Sequence, residues 1–206
     1  MIATQILSVN DPTALAQALA VLRGGGLVAF PTDTVYGVGA LAFDAAGIDR
    51  IFEAKGRDTA KAIPILVGTL EQLTEVTLML TPSAQKLAQR YWPGALTLVV
   101  PRHPGLPENL SATPTVGVRM PAHPFALDLL RSAGPLAVTS ANLSGQENPV
   151  SAQDVLAQLN GRIELVIDGG NAPGGVPSTV VDCTGEQARI LRQGAIAAEE
   201  IAKIVG

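Results

Sequence analysis

Residues 27–43 read LVAFPTDTVYGVGALAF: an apolar run, a polar segment and a second apolar run. Inside it, Tyr36–Ala42 (YGVGALA) contains GxGxxA, the spacing of a dinucleotide-binding turn. The residues just after Gly39 decide the fold class. A dinucleotide turn opens a helix there, carries an acidic residue about twenty positions on, and belongs to a doubly wound parallel sheet. Here ALAF continues as a strand. Gly37 and Gly39 are therefore read as positions of close backbone approach and bending. The Walker pattern GxxxxGK[ST] is absent from the chain, so a nucleotide bound here would use neither standard cradle.

Outward from this stretch, strand and helix patterns interleave without strict βαβ alternation. Upstream, NDPTALAQALAVLRGGG reads as a helix with Asp11 as cap, Pro12 at the first helical position and Gly24 at its end. Its inward stripe is Ala14, Leu15, Ala18, Leu19 and Leu22. Downstream, the pattern predicts a helix from Asp44 to about Lys55 with Ile48, Ile51 and Phe52 inward, then a buried strand at Ile63–Val67. Further helices are expected around 83–90 and 125–131, with strands LTLVV, VGVRM and PLAVTS. Ser151, with Asp154 three residues on, opens a further helix by a capping box. IELVID, STVVDC and ARILRQG are strands, and AAEEIAKIVG is a short closing helix. The expected fold is α/β: a twisted, mixed parallel and antiparallel open sheet flanked by helices.

Composition narrows the function. The 206 residues are 47% hydrophobic and 16% charged, as in one large globular domain. Cys183 is the single cysteine and His103 and His123 the only histidines, so neither an internal disulfide nor a zinc motif is expected. No apolar run has the length of a membrane span, and a cytoplasmic location is expected. A net charge of −4 disfavours general polyanion binding, although a local basic cleft is compatible with it.

Five segments carry polar side chains at strand or helix ends. Asp33, Thr32, Thr34 and Tyr36 offer directional hydrogen bonds to a small polar substrate. Lys55, Arg57 and Lys61 place three cations within seven residues of a chain that has 14, which suits an oxyanion clamp. Lys55 taken alone is equally explained by the negative end of its helix. Thr139, Ser140, Asn142 and Ser144 close a strand where open sheets place ligands, and a capped turn explains them as well. Ser178 and Thr179 open one strand and Arg192 ends another.

Together, PTDTVYG (31–37), KGR (55–57), SANLSG (140–145), PSTVVD (177–182) and RQG (192–194) resemble, in order and spacing, the YrdC/TsaC family of threonylcarbamoyl-AMP synthases. The resemblance runs from about Leu27 to Gly194 and implies a single YrdC-like domain over 1–206, of the short form, with a large concave face. It implies condensation of L-threonine, bicarbonate or CO2, and ATP into threonylcarbamoyl-AMP and pyrophosphate, with Mg2+ arriving on the phosphates. A downstream transferase complex would pass the product to adenosine 37 of tRNAs that read codons starting with A. Implied threonine contacts are Thr34, Arg119, Val138 and Ser178; implied ATP contacts are Arg57, Lys61, Thr115, Ser140, Asn148 and Arg192. Lys55 and Asn142 complete a KxR…SxN signature and, with Arg57 and Ser140, are the expected catalytic set. The chain departs from the family pattern at Asp58, Ala62, Ile63, Leu66 and Thr139.

Two rivals share parts of this pattern. A non-catalytic factor binding double-stranded RNA or tRNA would use the concave face, but aromatics are only 3%, which leaves few stacking platforms. Steep salt dependence of RNA affinity without ATP turnover would favour it. A carbamoyl-transfer module of the hydrogenase-maturation type shares the fold but works with zinc fingers, for which the chain has no motif.

Overall fold

The computed structural model describes residues 2–174 and 176–205. In chain order the elements are β1 (Gln5–Ser8), α1 (Ala14–Arg23), β2 (Val28–Phe30), β3 (Gly37–Leu41), α2 (Ala45–Lys55), β4 (Ile65–Leu66), α3 (Leu70–Val76) and α4 (Pro82–Tyr91). They continue with β5 (Leu96–Pro101), a 3-10 turn (Glu108–Leu110), β6 (Thr115–Arg119), α5 (Pro124–Ala133), β7 (Leu136–Ser140), α6 (Ala152–Leu159), β8 (Leu165–Asp168), β9 (Thr179–Asp182), β10 (Arg189–Arg192) and α7 (Ala198–Val205). The ten strands form one sheet in the order β1-β8-β2-β3-β7-β4-β6-β5-β9-β10. Pairings β1–β8, β2–β8, β4–β6 and β5–β9 are parallel and the other five antiparallel, so the sheet is mixed. No helix among the described residues is long and apolar enough to cross a membrane.

Local chemistry sets the best-read elements. Asp44 accepts the Ala46 amide at 3.1 Å to start α2, and Gly56, at φ +57°, ends it. Ser151 and Asp154 form the expected capping box on α6. Elsewhere boundaries differ. Asp11 caps only the turn before α1, receiving the Thr13 amide, and the helix starts after Thr13, so Pro12 lies outside it. The strand expected as GALAF starts two residues earlier, at Gly37, and IPILV contributes only two paired residues. Neither β1 nor α3 was expected: β1 is a largely exposed edge strand, and α3 is too short to show a periodic stripe.

The sheet buries its two faces differently. On one, α2, α4 and α6 cover Ala29, Val38, Ala40, Ala137, Leu96, Leu98, Val116 and Val118 in the larger core cluster. On the other, Ala14, Ala18 and Leu22 of α1 and Ala126, Leu129 and Leu130 of α5 cover Val28, Phe30, Leu136, Val138, Leu165 and Ile167. That helical cover stops near Leu66 and Val138. Beyond it, Thr97, Val99, Gly117, Arg119 and Val180 line a cavity of about 450 Å³ on the bare part of the sheet.

Candidate active site

The polar loop between β2 and β3 is shaped by its own hydroxyls. Thr32 Oγ1 donates to the Val35 carbonyl at 2.7 Å and accepts the amides of Thr34 and Val35, a turn that buries the Thr34 side chain. The Thr34 hydroxyl lies 3.1 Å from that of Thr32. Thr32 and Thr34 line the cavity; Tyr36 does not. The Tyr36 ring lies in the core, its hydroxyl donates to Gly170 O at 2.6 Å and accepts the Gly169 amide, and burial pushes its pKa up. Its expected substrate contact is thereby replaced by a tie between two loops. The glycines of GxGxxA also have an assignment. A Cβ on Gly37 would lie 2.6 Å from one γ-methyl of Val138, and one on Gly39 2.8 Å from the other.

Arg119, at the end of β6, is almost fully buried and spends three donors on the protein. Nε donates to Gly94 O at 2.9 Å, Nη1 to Thr34 Oγ1 at 3.0 Å and Nη2 to Asp33 Oδ1 at 2.5 Å. Burial and nearby Arg192 lower its pKa while Asp33 raises it. Asp33 thus works through Arg119 and is not itself part of the cavity lining. Ser178 shares a 2.7 Å hydrogen bond with Thr97, and Arg192 donates to the Ser178 carbonyl at 2.9 Å and to its hydroxyl at 3.3 Å.

The three cations of the second segment separate. Lys55 is 2% exposed, and its Nζ donates to the carbonyls of Ser140 and Asn142, each at 2.5 Å. Asn142 Oδ1 lies 3.4 Å from Nζ, and Ser144 N donates to Lys55 O. Both ends of Lys55 therefore clasp the 140–144 loop. Burial, then Arg57, pulls its pKa down to about 7. The left-handed Gly56 turns the chain so that Arg57 reaches the cavity, where it also donates to Ala62 O at 3.1 Å. Lys61 is exposed, with its carbonyl accepting from Arg57 Nε at 3.4 Å. Asn142 is buried, its amide donating to Leu143 O and Gln146 O. The Thr115 hydroxyl meets Thr113 at 2.9 Å.

Eight of the twelve residues to which the family resemblance gives a role thus share one cavity: Thr34, Arg57, Arg119, Val138, Ser140, Asn148, Ser178 and Arg192. Lys55, Lys61, Thr115 and Asn142 lie outside its lining. For Lys55 and Asn142 the reason is burial beneath the loop whose shape they hold. Thr97, Val99, Gly117 and Val180 line the cavity and were not singled out. The legible signal was Thr97, a polar residue between two core leucines in LTLVV, at the alternation that faces away from the core. The lining contains no carboxylate, and among the described residues no three His, Cys, Asp or Glu side chains gather as for a metal.

A half-covered mixed sheet, its bare face lined by arginines and hydroxyls, defines an α/β protein built to hold small polar and anionic molecules. The family model described as "Telomere recombination", the Sua5/YciO/YrdC family, matches residues 20–194, and the chain belongs to that family. A Bacillus subtilis relative named threonylcarbamoyl-AMP synthase is 43% identical over 98% of this chain and 59% of its own length. A Mycobacterium tuberculosis relative is 40% identical over 93% of this chain and 89% of its own. The solved structure of Pyrococcus abyssi Sua5 complexed with L-threonine is 42% identical, with a TM-score of 0.92, over all of this chain and 61% of that one. The chain therefore spans about three fifths of the B. subtilis and P. abyssi proteins.

Proposed function

We propose that this chain is a threonylcarbamoyl-AMP synthase, making threonylcarbamoyl-AMP and pyrophosphate from L-threonine, bicarbonate or CO2, and ATP. The observation that carries the reading is the single cavity in which Thr34, Arg119 and Ser178 face Arg57, Ser140 and Arg192. The name of the B. subtilis relative and the L-threonine complex of P. abyssi Sua5 support it.

Strand register gives the cavity two ends. Arg119, Leu66 and Ser178 belong to the end where β4 and β6 finish and β9 begins; Ser140 and Gly37 belong to the other. In this reading the guanidinium of Arg119 and the Ser178 hydroxyl take the carboxylate of threonine. The Thr34 hydroxyl, which accepts from Arg119, and the Val138 backbone complete the seat. Arg57, Ser140 and Asn148 hold the nucleotide, Arg192 meets it from the Ser178 end, and Lys61 and Thr115 are outer contacts. The threonine amine attacks the carbon of CO2 and loses a proton, giving a carbamate. A carbamate oxygen then attacks the α-phosphorus of ATP, and the bond to the bridging oxygen breaks to release pyrophosphate.

Both reactants are anions, so positioning and charge neutralisation supply most of the acceleration. Mg2+ neutralises phosphate charge when it arrives as MgATP; the residues lining the cavity offer hydroxyls and guanidinium groups rather than carboxylate ligands. Lys55 and Asn142 act by holding Ser140 in place. The product would pass to a tRNA threonylcarbamoyl transferase complex in the cytoplasm.

The test is pyrophosphate release from ATP with each amino acid in turn, with and without bicarbonate. Release that depends on both threonine and bicarbonate, and that Arg57→Ala abolishes in a folded protein, is the expected result. Release independent of the amino acid, or normal turnover by the variant, refutes the reading.

A further inference from the structure

Three arginines line the cavity, and they differ in one respect. Arg57 bonds to the carbonyls of Lys61 and Ala62, and Arg192 to Ser178, but neither forms an ion pair among the described residues. Arg119 has Asp33 against it, with the two side chains 9% and 16% exposed. We propose that Asp33 is a positioning residue that sorts the two substrates. By cancelling the net charge at Arg119 it reserves that end of the cavity, where Arg192 is bonded to Ser178, for a zwitterionic amino acid and leaves the polyanionic phosphate chain to Arg57. This inference rests on the reading of threonine and ATP as substrates.

Without Asp33 the cavity would misassign its ligands. Arg192 binds Ser178 and lies close enough to Arg119 for the two like charges to be felt. An unpaired Arg119 beside Arg192 would make a doubly cationic site, and a phosphate chain outcompetes a net-neutral amino acid for such a site. The Asp33 carboxylate removes the charge without removing the donors. Three of the five guanidinium N–H groups are engaged, which leaves one hydrogen on each terminal nitrogen for a carboxylate to accept. A zwitterion can still be held by direction, while the long-range pull on a polyanion is offset. Asp33 itself is fixed beside Thr32 and Thr34 in the loop they shape, so the sorter and the seat of the amino acid are one loop.

The experiment is calorimetric titration of L-threonine, with and without saturating pyrophosphate, into the wild-type chain and Asp33→Asn. Asparagine keeps an oxygen for Arg119 Nη2 and drops the charge. In the wild type, pyrophosphate should leave threonine affinity undiminished. In Asp33→Asn it should displace threonine and weaken its apparent affinity by about tenfold or more. A role in folding alone would weaken threonine equally with and without pyrophosphate, and that pattern overturns the proposal. Displacement of threonine by pyrophosphate from the wild type also overturns it, and this arm decides the matter even where the variant does not fold. No threonine binding by the wild type under either condition is a separate result: it removes the substrate reading, and this inference with it.

Discussion

Gly37→Ala tests whether the glycines of the fingerprint-like stretch are there for Val138. The added Cβ would sit 2.6 Å from Val138 Cγ1, whereas carbon atoms in contact prefer about 3.5–4.0 Å, a shortfall of roughly 1 Å. Val138 has little freedom to turn away, because its β-branched side chain has one γ-methyl against Gly37 and the other against Gly39. Overpacking of this kind costs about 1–3 kcal/mol. Part of that, about 0.4–1 kcal/mol, is offset by the lower entropy of the unfolded alanine chain. The expected net loss is about 1–2 kcal/mol, a fall in Tm of roughly 2–8 °C for a chain of this size. The assay is urea and thermal unfolding of the wild type, Gly37→Ala, Val138→Ala and the double variant. If the reasoning holds, Gly37→Ala costs almost nothing once Val138 is alanine, a coupling energy of about 1–2 kcal/mol. Additivity of the two losses to within about 0.5 kcal/mol would refute it.

Lys55→Met should change how stability depends on pH. Folding lowers the Lys55 pKa from 10.5 to about 7, so between those values the unfolded chain holds the extra proton, and the wild type gains stability as pH rises. The variant lacks that gain, and unfolding free energies measured across the window should converge or diverge by up to about 1.4 kcal/mol per pH unit; parallel profiles would contradict the assignment. Ser151→Ala removes one half of the capping box on α6 and should cost about 1 kcal/mol, or about 2–4 °C in Tm, with threonine-dependent turnover unchanged. An unaltered Tm would show that Asp154 alone caps the helix.

Much of the fold was legible because its signals are local. The segment from Asp44 to Gly56 carries its cap, its stripe and its terminating glycine in sequence, and the structure has the helix there. The decision against a dinucleotide turn was local too, since ALAF is strand as far as Leu41. The features that local patterns left open depend on partners far along the chain. Tyr36 belongs to a run of polar residues, yet its hydroxyl is claimed by Gly169 and Gly170, more than 130 residues away. Lys55 stands in a basic segment beside Arg57, yet the carbonyls of Ser140 and Asn142 draw it inside while Gly56 turns its neighbour outward. Two cations two residues apart thus acquire opposite environments through contacts that no local pattern encodes. β1 was missed for a related reason: it is defined by pairing with β8, and only one side of it is covered.

The cover of α1 and α5 ends at Leu66 and Val138, and the apolar floor continues past it through Val99 and Val180. At one end, then, the sheet is sandwiched between helices; at the other one face is left open as the floor of a cavity. A ligand seated there would take the place of a missing helix, so a bound molecule can complete the packing of β4, β5, β6 and β9, while the chain itself packs β2 and β8.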